Sequence, residues 1–196
     1  MSINIKQNIC LIKKIKNEFM ICFFYLMNHI TIINMINSIL TNEIYESKYS
    51  NITLKINKIG KRNIISSDFF YFDLIVMVEI NGINQSKISD KYDFNTTENI
   101  VKLIWKNELI STQKLFRSCR YITEIDLSHF DTSKVTDMYQ MFYGCSSLTS
   151  LDLTHFDTSQ VTNMNQMFCE CSSLTSLDLT HFDTSQVIDM NGIFDE

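Results

Sequence analysis

The side chains able to do chemistry recur in columns along the second half of the sequence. Asp126, Asp152 and Asp178 form one column and Asp131, Asp157 and Asp183 a second. His129, His155 and His181 form a third, and Cys119, Cys145 and Cys171 a fourth, with Cys169 completing a C-x-C pair. Carboxylates held side by side are a calcium chemistry, because calcium takes oxygen-only shells. Imidazoles at a fixed pitch could hold zinc or titrate near neutral pH. Thiols in a ladder raise the question of disulfides or a metal.

Each column has a plainer reading that the residue types favour. Asp126, Asp152 and Asp178 each stand between two apolar residues and point outward from a strand. Neighbouring strands lie ~4.8 Å apart, where two unit charges repel by only about 1 kcal/mol in water. A solvated, solubilising stripe is therefore stable with no ion. Asp131, Asp157 and Asp183 each precede Thr-Ser, the pattern of an Asx-type turn. A linear histidine column offers poor tetrahedral geometry, so no metal site is expected there. Parallel cysteines bridge badly, so the ladder reads as buried free thiols.

Nucleotide loops, metalloprotease helices and nucleophile elbows are all missing: the sequence has no G-x-G-x-x-G, P-loop, H-E-x-x-H or G-x-S-x-G. A non-catalytic protein with no cofactor is the expectation. The formal net charge is -5 and no long basic run exists, which argues against a nucleic-acid partner. There is no alanine and no proline in the sequence, and this skew carries no functional information.

The columns exist because the sequence repeats. Units run 115–140 (LFRSCRYITEIDLSHFDTSKVTDMYQ), 141–166 (MFYGCSSLTSLDLTHFDTSQVTNMNQ) and 167–192 (MFCECSSLTSLDLTHFDTSQVIDMNG), with a fourth beginning at 193–196. Each holds an L-x-x-L-x-L spacing: Ile122, Ile125 and Leu127, then Leu148, Leu151 and Leu153, then Leu174, Leu177 and Leu179. The period-2 alternation at its end predicts a short strand, with leucines inward and Asp152 and Thr154 outward. Phe130, Phe156 and Phe182 would fill the arc where the chain leaves the sheet. Val161, Met164, Met167 and Phe168 recur at three- to four-residue spacing, which predicts a helical return.

The units MFYGCSSLTSLDLTHFDTSQVTNM and their copies resemble the BspA-like leucine-rich-repeat surface proteins, including the related repeat domain of mycoplasma lipoproteins. The resemblance covers about residues 115–196. It implies a leucine-rich-repeat solenoid, a cell-surface or secreted location, and a role in adhesion or protein binding. It supplies no catalytic residues. The expected fold is thus an α/β leucine-rich-repeat solenoid of 26-residue repeats, each a short strand plus a helical return.

Residues 51–110 read as a β-rich leader that caps the array. Strand candidates are Ile52–Asn57, Leu74–Asn81 and Ile100–Trp105, with Asn81-Gly82 as a hairpin turn. Trp105, Val101 and Leu103 are placed to pack on the first repeat. Residues 1–50 read two ways. Lys13, Lys14 and Lys16 before the uncharged 19–42 stretch fit a signal or membrane anchor, yet no small-residue cleavage site follows. Leu26, Ile30, Ile33, Ile36 and Leu40 also share one face of an amphipathic helix, which fits a packed extension. Cys10 and Cys22 lack a lipidation context.

The expected binding surface is the strand face: Thr123, Glu124, Asp126 and Ser128, then Thr149, Ser150, Asp152 and Thr154, then Thr175, Ser176, Asp178 and Thr180. Its partner would be a protein or a cell-surface component, held through an extended face. Membrane association through residues 19–42 and self-association through the uncapped last repeat are further expectations. The alternative is an intracellular scaffold, or a fragment of a longer array with no partner of its own.

Overall fold

The alternation in YSNITLKI and NIVKLIWK puts every second side chain on one side of the backbone, which suits a sheet with one buried face. Both segments form eight-residue strands, β1 (Tyr49–Ile56) and β6 (Asn99–Lys106). Ile52, Leu54 and Ile56 of β1 and Val101, Leu103 and Trp105 of β6 are buried on the same face. The computed structural model describes residues 49–106 and 109–195, which belong to one compact unit, Lys48–Glu196. The extension to residue 48, with its signal, anchor and amphipathic-helix readings and Cys10 and Cys22, lies outside the described residues.

The remaining strands are β2 (Gly60–Asn63), β3 (Ile75–Ile80), β4 (Ile83–Asn84), β5 (Lys91–Phe94), β7 (Ile122–Asp126) and β8 (Ser150–Leu151). Six of them form one sheet in the order β4-β3-β6-β1-β7-β8, and β2 pairs with β5. The leader and the first two repeats therefore share a sheet. β1 runs antiparallel to both β6 and β7, whereas β7 and β8 are parallel. Asn81 and Gly82 turn β3 into β4 with φ of 51° and 79°, the double left-handed geometry that Asn-Gly favours. Asn99 is buried beside this turn with all its hydrogen-bonding capacity in use. Its Nδ2 donates to the carbonyls of Ile56 and Thr96, and its Oδ1 accepts from Thr96 Oγ1 and Asn81 Nδ2.

The helical return does not form, and the α/β leucine-rich-repeat solenoid is not the fold. The described residues are nearly all β and turn, and their one helix is the three-residue 3-10 turn Phe72–Leu74. The reason lies in where the backbone amides go. An α-helix needs each N–H to bond the carbonyl four residues back. Here Met138, Gln140, Phe142 and Gly144 donate instead to the carbonyls of Asn163, Asn165, Met167 and Cys169 in the next unit, at 2.9–3.0 Å. Met164, Gln166, Phe168 and Glu170 repeat the pattern onto Asp189, Asn191, Ile193 and Asp195. Alternate amides thus point sideways, and the chain advances through successive turns. Gln140, Gly144, Gln166 and Glu170 adopt positive φ, which no α-helix permits. The three- to four-residue spacing of Val161, Met164 and Met167 was a turn period rather than a helical one.

The strand expectation also narrows along the array. The first unit has a five-residue strand and the second a two-residue strand, while Leu174–Leu179 carries none. Parallel bridges link Ser111 to Asp137, Asp137 to Asn163, and Asn163 to Asp189 on the turn side. Two columns of phenyl rings tie the units together. Phe116, Phe142, Phe168 and Phe194 follow at 5.9, 5.6 and 5.7 Å between ring centroids. Trp105 heads the second column, lying 5.9 Å from Phe130, with Phe156 and Phe182 beyond at 6.3 and 6.5 Å.

Candidate functional site: the outward face of the sheet

Inward residues of β1, β6 and β7 build the core, so their neighbours must face outward. Register places Glu79, Lys102, Thr53 and Asp126 in one row across four strands. Ile100, Lys55, Glu124 and Ser150 make the next row. The strand face inferred from the repeats therefore continues across the leader. Sequence reasoning missed Thr53, Lys55, Ile100 and Lys102 as part of it. The alternation in β1 and β6 was the signal that could have found them.

The twelve strand-face residues divide simply. Thr123 is half-buried, and its Oγ1 donates to the Lys55 carbonyl. The other eleven are exposed. Glu124 pairs with Lys55 at 2.9 Å, with both side chains partly open to water. Thr175 and Ser176 also line a cleft of about 330 Å³ together with Phe168, Glu170, Phe194 and Asp195.

Asp126, Asp152 and Asp178 do more than solubilise. Asp152 Oδ1 accepts from both the backbone N–H and the Oγ1 of Thr154, and Asp178 Oδ1 accepts likewise from Thr180. Asp126 Oδ1 accepts from the Ser128 N–H. These hydrogen bonds hold the three carboxyls below the usual carboxylate range. Asp131 and Asp157 lock Ser133 and Ser159 in the same way, and Asp183 accepts from the Ser185 N–H. Each column is a set of local turns, with one carboxylate oxygen committed inside its own unit.

The other columns have local partners too. His129 Nδ1 lies 2.8 Å from Ser128 Oγ, and His155 and His181 are exposed. Among the described residues no three His, Cys, Asp or Glu side chains converge to hold a metal ion. Cys119, Cys145, Cys169 and Cys171 are free thiols. Cys145 and Cys171 donate to the carbonyls of Phe116 and Phe142 at 3.1 Å. Burial drives the Cys119 and Cys145 thiols upward and pushes Cys171 up to about 11. All three are held as thiols at neutral pH, which removes the nucleophilic form.

Residues 110–196 match the family model described as Mycoplasma protein of unknown function, DUF285. The match takes in the repeats and stops at the leader. No curated protein and no solved structure matches the chain. No helix of the described residues is long and apolar enough to cross a membrane.

Proposed function

We propose that the chain is a non-catalytic protein-binding module whose outward sheet face engages a partner at a cell surface. The observation carrying this reading is the exposure of eleven polar side chains along the three units, those of the first two units backed by a buried core. Loops of equal polarity would lose more conformational freedom on binding, and a pre-formed face avoids that loss. The polar groups on this face are engaged in local turns rather than gathered around a reacting atom, which favours recognition over catalysis. The likeness of the repeat sequence to BspA-like surface proteins supports the location.

The test joins location with binding. Intact cells are shaved with protease and the released peptides identified. The purified chain is then screened against matrix and cell-surface proteins beside a Ser150→Arg/Ser176→Lys variant, which changes exposed side chains that hold no turn. Release of repeat peptides, with a captured partner held at least about tenfold more weakly by the variant, is the expected result. Equal binding by the variant moves the site off this face. Repeats that resist shaving, with no partner captured, overturn the surface reading.

A further inference from the structure

The leader meets the first repeat through two kinds of contact, and only one kind can tell the repeats apart. The generic contacts reproduce what one repeat does to the next. Asp157 N and Asp183 N each donate to a threonine of the preceding unit, Thr132 Oγ1 at 2.9 Å and Thr158 Oγ1 at 2.8 Å. Asp131 N has the leader's Ser50 Oγ in that role, at 2.9 Å. Thr149 Oγ1 donates to the carbonyl of Thr123, and Thr123 Oγ1 to that of Lys55. Trp105 meets Phe130 where Phe130 meets Phe156. Asp157, Thr149 and Phe156 of the second unit offer the leader the same handles. Ser50, Trp105 and the β1 backbone therefore fit the second unit about as well as the first.

The specific contacts behave differently. Asp68 Oδ2 binds Arg117 at 2.8 Å, the Arg62 guanidinium sits 4.5 Å over the Tyr121 ring, and Lys55 binds Glu124 at 2.9 Å. Arg117, Tyr121 and Glu124 occupy positions where the second unit has Tyr143, Ser147 and Ser150, and the third Cys169, Ser173 and Ser176. No Lys or Arg occurs anywhere after Lys134, so a slipped leader would find no cation for Asp68. All three leader partners lose their counterpart at once.

We propose that Asp68, Arg62 and Lys55 form a register code that selects unit 115–140 as the leader's docking partner and rejects the related units behind it. Exposed pairs of this kind add little to stability. Their effect is on the difference between two otherwise equivalent dockings, which is where specificity resides. A slip of one unit is the natural error of repeats that offer the same handles. It would leave residues 115–140 looped out.

The test is amide hydrogen exchange on the full chain carrying Arg117→Tyr, Tyr121→Ser and Glu124→Ser, which gives the first unit the second unit's residues. Exchange in 115–140 should quicken by about tenfold, while 141–192 stays protected. Unchanged protection of 115–140 overturns the code, because the generic contacts would then suffice. Should the triple variant unfold throughout, a charge swap decides. Lys55→Glu alone should quicken exchange in 115–140, and adding Glu124→Lys should restore the wild-type rate. A double variant no slower than the single one overturns the proposal.

Discussion

At the scale of single residues, the aspartate columns set the acid behaviour of the surface. Asp152 has its carboxyl lowered first by the Thr154 backbone N–H and then by the Thr154 hydroxyl. Its folded pKa thus lies below its unfolded value, near 3.8. Such a group contributes stability that is complete above the unfolded pKa and is lost as pH falls through the folded one. Asp126, Asp157, Asp178 and Asp183 shift in the same direction. The protein should keep its urea midpoint from neutral pH down to about pH 5 and lose it progressively below about pH 4. In Asp152→Ala the midpoint falls at neutral pH, and the acid-induced loss becomes smaller than in the wild type. A loss of equal size in both proteins would show that this carboxylate is not the responding group. The Asp-Thr-Ser turns were legible from residue types alone. The matching turns at Asp126, Asp152 and Asp178 were not, because strand alternation explained those positions first.

At the scale of the element, the turn ladder and a helix make opposite demands on one residue. Gly144 has φ of 68°, and a Cβ added there would meet the Ser118 Cα at 3.6 Å, an ordinary contact. Space is therefore not the obstacle, and the backbone conformation alone decides the outcome. In a helix interior Gly→Ala stabilises by about 1 kcal/mol. In this left-handed position Gly144→Ala should destabilise by about 1–2 kcal/mol, read from urea unfolding at unchanged m-value. A stabilised variant would restore the helical return. Apolar spacing could not separate the two structures, since Met138, Met141, Phe142 and Cys145 are buried in the ladder just as they would be on a helix face. What differs is the partner of each amide, and that partner sits in the next unit.

At the scale of the whole molecule, leader and repeats share one sheet and one apolar core. The core runs without a break from Ile52 and Leu54 through Trp105 to Phe156 and Phe168. Trp105 is the sole tryptophan in the sequence, fully buried at the junction. Its fluorescence therefore reports on the seam, while amide exchange in 141–192, pulse-labelled at each urea concentration, reports on the repeats. The two unfolding transitions in urea should coincide, as a single cooperative unit requires. An earlier fluorescence transition would mean that the leader leaves before the repeats melt. The family match covers the repeats alone, yet β1 supplies the strand that pairs with β7 on its outer side. A chain limited to the matched region would expose that edge of β7.

Sequence alone determined the 26-residue units, the inward and outward sides of β7, the column of Phe130, Phe156 and Phe182, and the Asp-Thr-Ser turns. These follow from side-chain period and local hydrogen bonding, which act within a few residues. Tertiary structure decided the rest. The amides of Met138 to Gly144 turn sideways because carbonyls of the next unit lie within reach. β1 runs antiparallel to β7 because the leader folds back to stand where a preceding repeat would. The outward face gains Thr53, Lys55 and Lys102 from a segment far away in sequence. Each of these depends on a backbone group or side chain finding its partner across tens of residues, and no local pattern records who that partner is.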